Sequence, residues 1–181
     1  MKASSGMLAL KLESIIRRLG PDDAFAFKAI RLEALKSAPE LLRSTFELED
    51  KLDLDWFAGR LADAHVLGAI RNEQLVGTAG FAIQQGQPNL HKGRLWGMFV
   101  QPSVRNLGIG RLLLNDILDV ARGSVEIVQL SVVKDNWPAK KLYESSGFRE
   151  FGVEHKASKY GDTYYDEALM VIDFSCKSDV A

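Results

Sequence analysis

The sequence predicts a single α/β domain, with a mixed central sheet of about six to seven strands flanked by about four helices. The first observation behind this class is that runs rich in β-branched and aromatic residues alternate with amphipathic helical stretches. The second is that no internal repeat or low-complexity linker interrupts the order. Third, 181 residues are enough to bury one substantial core but too few to suggest two.

The first third of the chain is predicted to hold one strand and two helices. Residues 13–19 form the strand, and a helix capped by Asp22 or Asp23 follows through about residue 37. The second helix covers about residues 53–62. The buried positions expected in the first helix are Ala26, Ile30, Leu32 and Leu35.

Three strands and one long helix are predicted in the middle of the chain. Residues 66–70 and 75–83 are β-rich runs joined by a polar loop of hairpin length, so they should pair antiparallel. A further strand covers about residues 94–100. An amphipathic helix follows over about residues 108–122 and ends at Gly123.

The last third is predicted to add three strands and one helix. These are a strand of residues 125–133, a helix over about residues 137–146, and two closing strands near residues 148–153 and 164–174. The complete order is β-α-α-β-β-β-α-β-α-β-β, which favours one mixed sheet over a string of modules.

The expected domain spans residues 11–175. Residues 1–10 are small, polar and unpatterned at their start, and we expect them to be a disordered leader. Residues 176–181 form a short tail that holds the only cysteine, Cys176. A single cysteine excludes an intramolecular disulfide and a multi-cysteine metal site, and no metal is expected. We interpret Cys176 as an ordinary terminal residue rather than a nucleophile, because no His or carboxylate motif accompanies it.

Charge and hydrophobicity argue against two classes of partner. Lys and Arg number 23 against 24 Asp and Glu, and the formal net charge is -1. The chain therefore lacks the basic excess that is typical of nucleic-acid binders. Its longest apolar runs fall far short of the roughly 20 residues that a membrane helix needs, and the N-terminus has no secretory signal. We expect a cytoplasmic protein with neither nucleic acid nor membrane as a partner.

The segment between the predicted strand 94–100 and the helix that follows is suited to bind an anion. Gly108 and Gly110 remove Cβ atoms that would keep a ligand from the backbone, and the first helical turn offers unpaired N–H groups. Arg105 and Arg111 add positive charge on either side. The Gly-Lys-Ser/Thr ending of a P-loop and the third glycine of a dinucleotide fingerprint are both missing. A tight strand-to-helix turn without a ligand is the alternative.

The spacing Arg105-x-x-Gly108-x-Gly110 resembles a signature of the GCN5-related N-acetyltransferase (GNAT) superfamily, in which this loop grips the pyrophosphate of acetyl-CoA. The resemblance implies a GNAT-like fold and acetyl-CoA as the acetyl donor. It also implies that the preceding strand pairs with the pantetheine arm of the donor. The implied cofactor-binding residues of this segment are Met98, Phe99, Val100, Arg105, Asn106, Leu107, Gly108, Ile109, Gly110 and Arg111.

A second motif begins at Asn136 and reads Asn-Trp-Pro-Ala-Lys-Lys-Leu-Tyr-Glu-Ser-Ser-Gly-Phe. Seven helical steps from Asn136 to Tyr143 come within roughly 20° of two full turns, so both side chains lie on one face. In isolation, Asn136 would be interpreted as a helix N-cap and Tyr143 as a half-buried core ring. The motif resembles the second GNAT signature. That resemblance implies that Asn136 bonds the pantetheine arm and that Tyr143 protonates the departing thiolate.

Neither motif supplies a general base. An amine acceptor is protonated at neutral pH, and only its neutral form attacks a thioester. Much of the family uses a Glu on the strand that leads into the phosphate loop, but residues 91–99 contain no carboxylate here. His91 is the nearest titratable candidate in the sequence, and Glu47 and Glu49 are candidates because the family's acceptor site is usually walled in that region. A relay through solvent water is the alternative.

The implied reaction is direct acetyl transfer to a primary amine of a small molecule, a protein N-terminus or a lysine, since no cysteine lies near either motif. A non-catalytic acyl-CoA-binding domain is one alternative, and a nucleotide-phosphate binder that prefers ATP or NAD is the other. Trp56, Phe57 and Trp96 are interpreted as core, with the lining of an acceptor pocket as the alternative. A homodimer would be in keeping with the family, but no residue predicts an interface.

Overall fold

The computed structural model describes residues 14–175. Its strands are β1 (Ser14–Arg18), β2 (His65–Arg71), β3 (Gln74–Ile83), β4 (Lys92–Val100), β5 (Ile127–Val133), β6 (Arg149–Tyr160) and β7 (Thr163–Asp173). Its helices are α1 (Ala24–Ser37), α2 (Phe46–Glu49), α3 (Leu54–Asp63), α4 (Ile109–Arg122) and α5 (Trp137–Glu144). The predicted leader of residues 1–10 and the tail of residues 176–181, with Cys176, lie outside the described residues.

All seven strands belong to one sheet, in the order β1-β2-β3-β4-β5-β7-β6. The first four strands form an antiparallel meander, β4 and β5 are parallel, and β7 pairs antiparallel with both β5 and β6. The predicted mixed α/β sheet is confirmed. The sequence does not predict α2, because a helix of 4 residues is too short to show a hydrophobic period.

The helices cover both faces of the sheet. α4 and α5 pack on one face, where Leu113 and Ile117 are buried. α1 and α3 pack on the other face, around Phe27 and Phe57. Phe57 is therefore a core residue, as interpreted from the sequence, but the same interpretation is wrong for Trp56, whose side chain is exposed. Between residues 14 and 175, no helix is both long and apolar enough to span a membrane.

The inner face of α1 differs in part from the expected one. Ile30 and Leu35 are buried as predicted, but Ala26 and Leu32 are only half-buried. Phe27 takes the inner position beside Ala26. One residue corresponds to about 100° of helical rotation, so this small shift turns the buried stripe toward the larger ring.

Two-residue turns close both long hairpins. Asn72 and Glu73 join β2 to β3 with φ of 48° and 64°, so the predicted loop contracts and both strands lengthen. Tyr160 pairs with Thr163 around Gly161, whose φ is 57°. Because this second turn is equally tight, β6 runs further than the sequence predicts.

Candidate functional site

A cleft of about 680 Å³ opens between β4 and β5. The two strands pair in parallel where residues 92–94 face residues 127–129, and the cleft lies beyond that short ladder. Residues 95–100 and 130–133 line its opposite sides. Because β4 keeps β3 as a partner as far as Val100, only its β5-facing edge is left open. Backbone groups on such an edge can bind an extended ligand as a strand would.

A β-bulge at Gly97 shapes the β4 side of the cleft. The register of β3 with β4 shifts between Thr78 and Gly80, and Gly97 has a left-handed φ of 61°. The buried Thr78 hydroxyl donates to the Gly97 carbonyl at 3.0 Å. As a result Trp96 and Phe99 pack on the same face although they are three residues apart.

The loop after β4 brings the N-terminus of α4 to the cleft. Asn106 and Gly108 adopt left-handed φ of 63° and 83°, and Gly108 is the N-cap of α4. The first N–H groups of a helix have no acceptor within it, so they are available to an anion. A Cβ at Gly110 would stand 3.4 Å from Leu142 Cδ2 and 3.7 Å from Met98 Cε. A side chain much longer than a methyl group would therefore enter the cleft.

Both arginines of this loop line the cleft and are held by hydrogen bonds. Arg105 Nε donates to the Val100 carbonyl at 3.0 Å, and its guanidinium lies 5.8 Å from the centre of the Phe99 ring. Arg111 Nη2 donates to Ser145 Oγ, just beyond the end of α5, at 2.9 Å. These anchors keep the two positive charges beside the helix N-terminus.

The helix α5 contributes Asn136 and Tyr143 to the same cleft. Asn136 Oδ1 caps α5 by accepting from the Ala139 N–H at 3.3 Å, which is the alternative that the sequence offered. Its amide nitrogen keeps two donors that can still reach a ligand. The Tyr143 ring packs edge-on against Phe148 at 5.8 Å. Burial raises the pKa of Tyr143 to about 12, so the phenol stays protonated at neutral pH.

The structure gathers almost all of the predicted cofactor residues in one place. Each of them lines the cleft except Leu107, whose side chain packs against the core below α4. The geometry fits an elongated ligand with a phosphate group at one end, because an open strand edge leads to a helix N-terminus with two arginines.

The candidate bases lie elsewhere. His91 precedes β4 at the paired end of the strands, where its carbonyl accepts from the N–H groups of Glu126 and Ile127. Glu47 is exposed on α2. Glu49 is buried and holds Arg31 in a two-pronged ion pair, with Arg31 Nε 3.0 Å from Oε2. None of the three carboxylate or imidazole groups lines the cleft.

No local sequence pattern predicts one further wall of the cleft, which lies next to the core under α1 and α3. Leu41 and Leu42 line the cleft from the loop between α1 and α2. The next residue, Arg43, reaches across the sheet, with Nη2 2.7 Å from Glu167 Oε2 and 2.6 Å from Glu154 Oε2. We call these five residues and Tyr160 the loop-side wall. The partners lie more than one hundred positions apart in the sequence, as Arg43 and Glu167 do, so no local pattern could reveal them.

One further hydrogen bond holds the loop-side wall together. The Tyr160 hydroxyl donates to the Leu42 carbonyl at 2.6 Å. Glu167 is only 4% exposed, and it pairs in register with Val133, which lines the cleft. Side chains of paired residues stand on the same face, so the buried carboxylate lies beside the cleft.

Known proteins share the fold of this chain. A family model described as "Acetyltransferase (GNAT) family" matches residues 30–148, more than half of the chain. The chain belongs to this family. The GNAT resemblance and the GNAT-like fold expected from the sequence are thereby confirmed.

Individual relatives agree with the GNAT family model. N-alpha-acetyltransferase RimI of Mycobacterium tuberculosis is 38% identical over 92 residues, which are 51% of this chain and 56% of that protein. L-amino acid N-acetyltransferase AaaT of Escherichia coli is 28% identical over 162 residues, 84% of this chain and 96% of that protein. The structure of yncA from Salmonella typhimurium with its cofactor acetyl-CoA has a TM-score of 0.77 at 20% identity, covering 93% of this chain and 99% of that one. The chain spans about half the length of the first curated relatives that it matches.

Proposed function

We propose that this protein transfers an acetyl group from acetyl-CoA directly to a primary amine. The observation that carries the proposal is the cleft itself, where an open β4 edge, the N-terminus of α4 and the Tyr143 phenol lie on one continuous path. Membership of the GNAT family supports acetyl as the group transferred. The yncA structure, which holds acetyl-CoA in the same fold, supports the donor.

The proposed donor site uses three kinds of contact. The N–H groups from Leu107 to Arg111 and the guanidinium of Arg105 would hold the pyrophosphate. The open edge of β4 from Met98 to Val100 would pair with the pantetheine arm, and the Asn136 amide would donate to it. Acetyl-CoA, when bound, supplies the activated thioester.

Residues beside the thioester would position and stabilise rather than react covalently. A backbone N–H near Met98 or Phe99 is placed to polarise a carbonyl at the bulge in β4. Tyr143 is the proposed general acid: its phenol lines the cleft and is protonated at neutral pH, so it can give its proton to the departing thiolate.

The acceptor amine must lose a proton before it attacks. His91 and Glu47 lie away from the cleft, and their catalytic roles stay untested predictions. We propose instead that the loop-side wall holds the acceptor ammonium through Glu167, the buried carboxylate beside Val133. Solvent water at the mouth of the cleft would then carry the proton away. Arg43 Nη2 already donates to Glu167 Oε2 at 2.7 Å, and a carboxylate that binds cations suits an anchor for an ammonium better than a base.

The names of two relatives favour amines that are small or terminal. RimI is named an N-alpha-acetyltransferase and AaaT an L-amino acid N-acetyltransferase. We therefore propose an α-amine, free or at a peptide N-terminus, as the first class of acceptor to test.

The test is a turnover assay with acetyl-CoA and a panel of L-amino acids, N-terminal peptides, polyamines and aminoglycosides. Release of the CoA thiol, with mass spectrometry of the product, should report acetylation of at least one amine. Acetyl-CoA binding without any acetylated product would favour the non-catalytic acyl-CoA-binding alternative. Binding of ATP or NAD in preference to acetyl-CoA would contradict the donor site itself.

A further inference from the structure

A stacked guanidinium lies beside the cleft, next to Trp96. Arg60, on α3, stacks over the Trp96 ring at 4.4 Å and over the Trp56 ring at 5.0 Å. Its Nε is buried and makes no hydrogen bond with the residues from 14 to 175. The two Nη atoms are not enclosed in this way. The Nη pair is therefore the part of this guanidinium that a ligand can reach.

The neighbours of Arg60 leave its positive charge unbalanced. Arg31 and Glu49 form a buried ion pair with each other, so the Arg60 cluster, made of these three residues with Trp56 and Trp96, carries one excess positive charge. Burial, and then the charge of Arg31, lower the pKa of Arg60. The guanidinium nevertheless remains a cation, because its pKa starts so high.

The Arg60 cluster adjoins the cleft at the bulge in β4. Trp96 and Gly97 both line the cleft. A Cβ at Gly97 would stand 3.7 Å from Arg31 Nη1, so the cluster lies directly behind that residue. The Arg60 cluster lies on the face of the sheet that α1 and α3 cover, and the loop-side wall lies on the same face. An acceptor molecule bound between the Arg60 cluster and the loop-side wall would meet the positive charge of the cluster on one side and the carboxylates of the wall on the other.

We propose that Arg60 binds a carboxylate of the acceptor, so that the preferred substrates are amines that also carry a carboxylate, such as free amino acids. The inference rests on the proposed acetyl transfer and specifies its substrate class. A guanidinium offers a planar pair of donors that matches a carboxylate, and stacking on the two indoles fixes its plane. The opposite charge of the loop-side wall suits the ammonium of the same molecule.

The experiment compares L-amino acids with their amides as acceptors, in the wild type and in Arg60→Met, Arg60→Lys and the control Arg122→Met. Arg122 also stacks on a ring, that of Phe174, but lies on α4. The ratio of kcat/KM for an amino acid to kcat/KM for its amide should be about 10-fold or more higher in the wild type than in Arg60→Met. A bidentate ion pair can supply a difference of this size. Comparing this ratio between variants cancels the different basicities of amino acids and amides. Arg60→Lys should retain part of the preference.

Acetyl-CoA affinity should be unchanged in Arg60→Met, because Arg60 lies outside the proposed donor site, and this control shows that the fold is intact. An unchanged acid-to-amide ratio in Arg60→Met would overturn the proposal. A second measurement is independent of turnover: L-alanine should change the tryptophan fluorescence of the wild type but not of Arg60→Met. If no amine is acetylated, that fluorescence change still supports the carboxylate site and contradicts only the transferase function. If L-alanine changes neither protein, the carboxylate site is overturned.

Discussion

The two sides of the β4–β5 cleft are built in different ways. The motif side consists of residues 98–111 and 136–143, two continuous stretches whose backbone and helix ends form most of the surface. The acceptor side consists of the loop-side wall and the Arg60 cluster. It joins side chains from α1, α2, α3, β4, β6, β7 and the loop between α1 and α2. A site made of local backbone geometry can be recognised in a sequence, whereas a site made of distant side-chain pairs becomes visible only in the fold.

The largest effect should follow from Gly110→Glu on the motif side. The new side chain would enter the cleft beside the first N–H groups of α4 and repel phosphate, so acetyl-CoA affinity should fall by about 100-fold or more. Calorimetric titration measures this change. A glutamate early in a helix favours the helix dipole, so the fold should persist.

Gly59→Glu is the matched control for Gly110→Glu. Gly59 lies on α3, and a Cβ there meets nothing within 4 Å. This variant should bind acetyl-CoA like the wild type. Equal affinities for acetyl-CoA in both glutamate variants would contradict the phosphate-loop assignment.

The next effect should come from Tyr143→Phe. Loss of the phenol removes the proposed acid, so kcat should fall by about 100-fold while acetyl-CoA affinity changes little. The packing against Phe148 is retained because the ring remains. Tyr164→Phe, at an exposed position, is the control. An unchanged kcat in Tyr143→Phe would show that this ring only packs.

The pH dependence of the unfolding free energy tests the burial of the Tyr143 phenol. Burial raises the pKa of Tyr143 to about 12, above its ordinary value of about 10. Below about pH 10 the phenol is neutral in both the folded and unfolded states, so it does not limit the rate or the stability there. Between about pH 10 and 12 the unfolded state ionises first, and stability should fall with rising pH. Chemical denaturation should show a smaller fall in Tyr143→Phe.

A smaller effect is expected on the acceptor side from Arg43→Met. The change frees Glu154 and Glu167 and releases the loop that carries Leu41 and Leu42. The KM for the acceptor should rise by about 10-fold, and acetyl-CoA affinity should stay the same, because the motif side is untouched. Steady-state kinetics at saturating donor measures this. An equal loss of donor affinity would mean that the two sides are not independent.

The smallest effect should come from Gly97→Ala, at the boundary of the two sides. There is room for the methyl group, 3.7 Å from Arg31 Nη1, so the cost is backbone strain at a φ of 61°. Such strain amounts to about 1–2 kcal/mol of unfolding free energy. Urea denaturation measures it, with Gly59→Ala as the control that should stabilise its exposed helix by up to about 1 kcal/mol. A free energy unchanged in Gly97→Ala would contradict the strained bulge.

The sequence predicts the order of strands and helices because periodicity and turn residues mark most of them. It also predicts the motif side, where the left-handed Gly108 and the helix N-terminus follow directly from local residue types. It does not predict α2, the length of β6 or the bulge at Gly97, which depend on pairing and packing with other segments. His91 illustrates the limit: it is near β4 in the sequence but lies at the paired end of the strand.

The most direct test of the account measures amide hydrogen exchange with and without acetyl-CoA. In the proposed site, acetyl-CoA binds along the open edge of β4 and at the N-terminus of α4. Amides of residues 98–100 and 107–111 should therefore exchange more slowly when acetyl-CoA is bound, while residues 66–70 of β2 should be unaffected. Acetyl-CoA binding that leaves exchange unchanged in both cleft segments would contradict the proposed site.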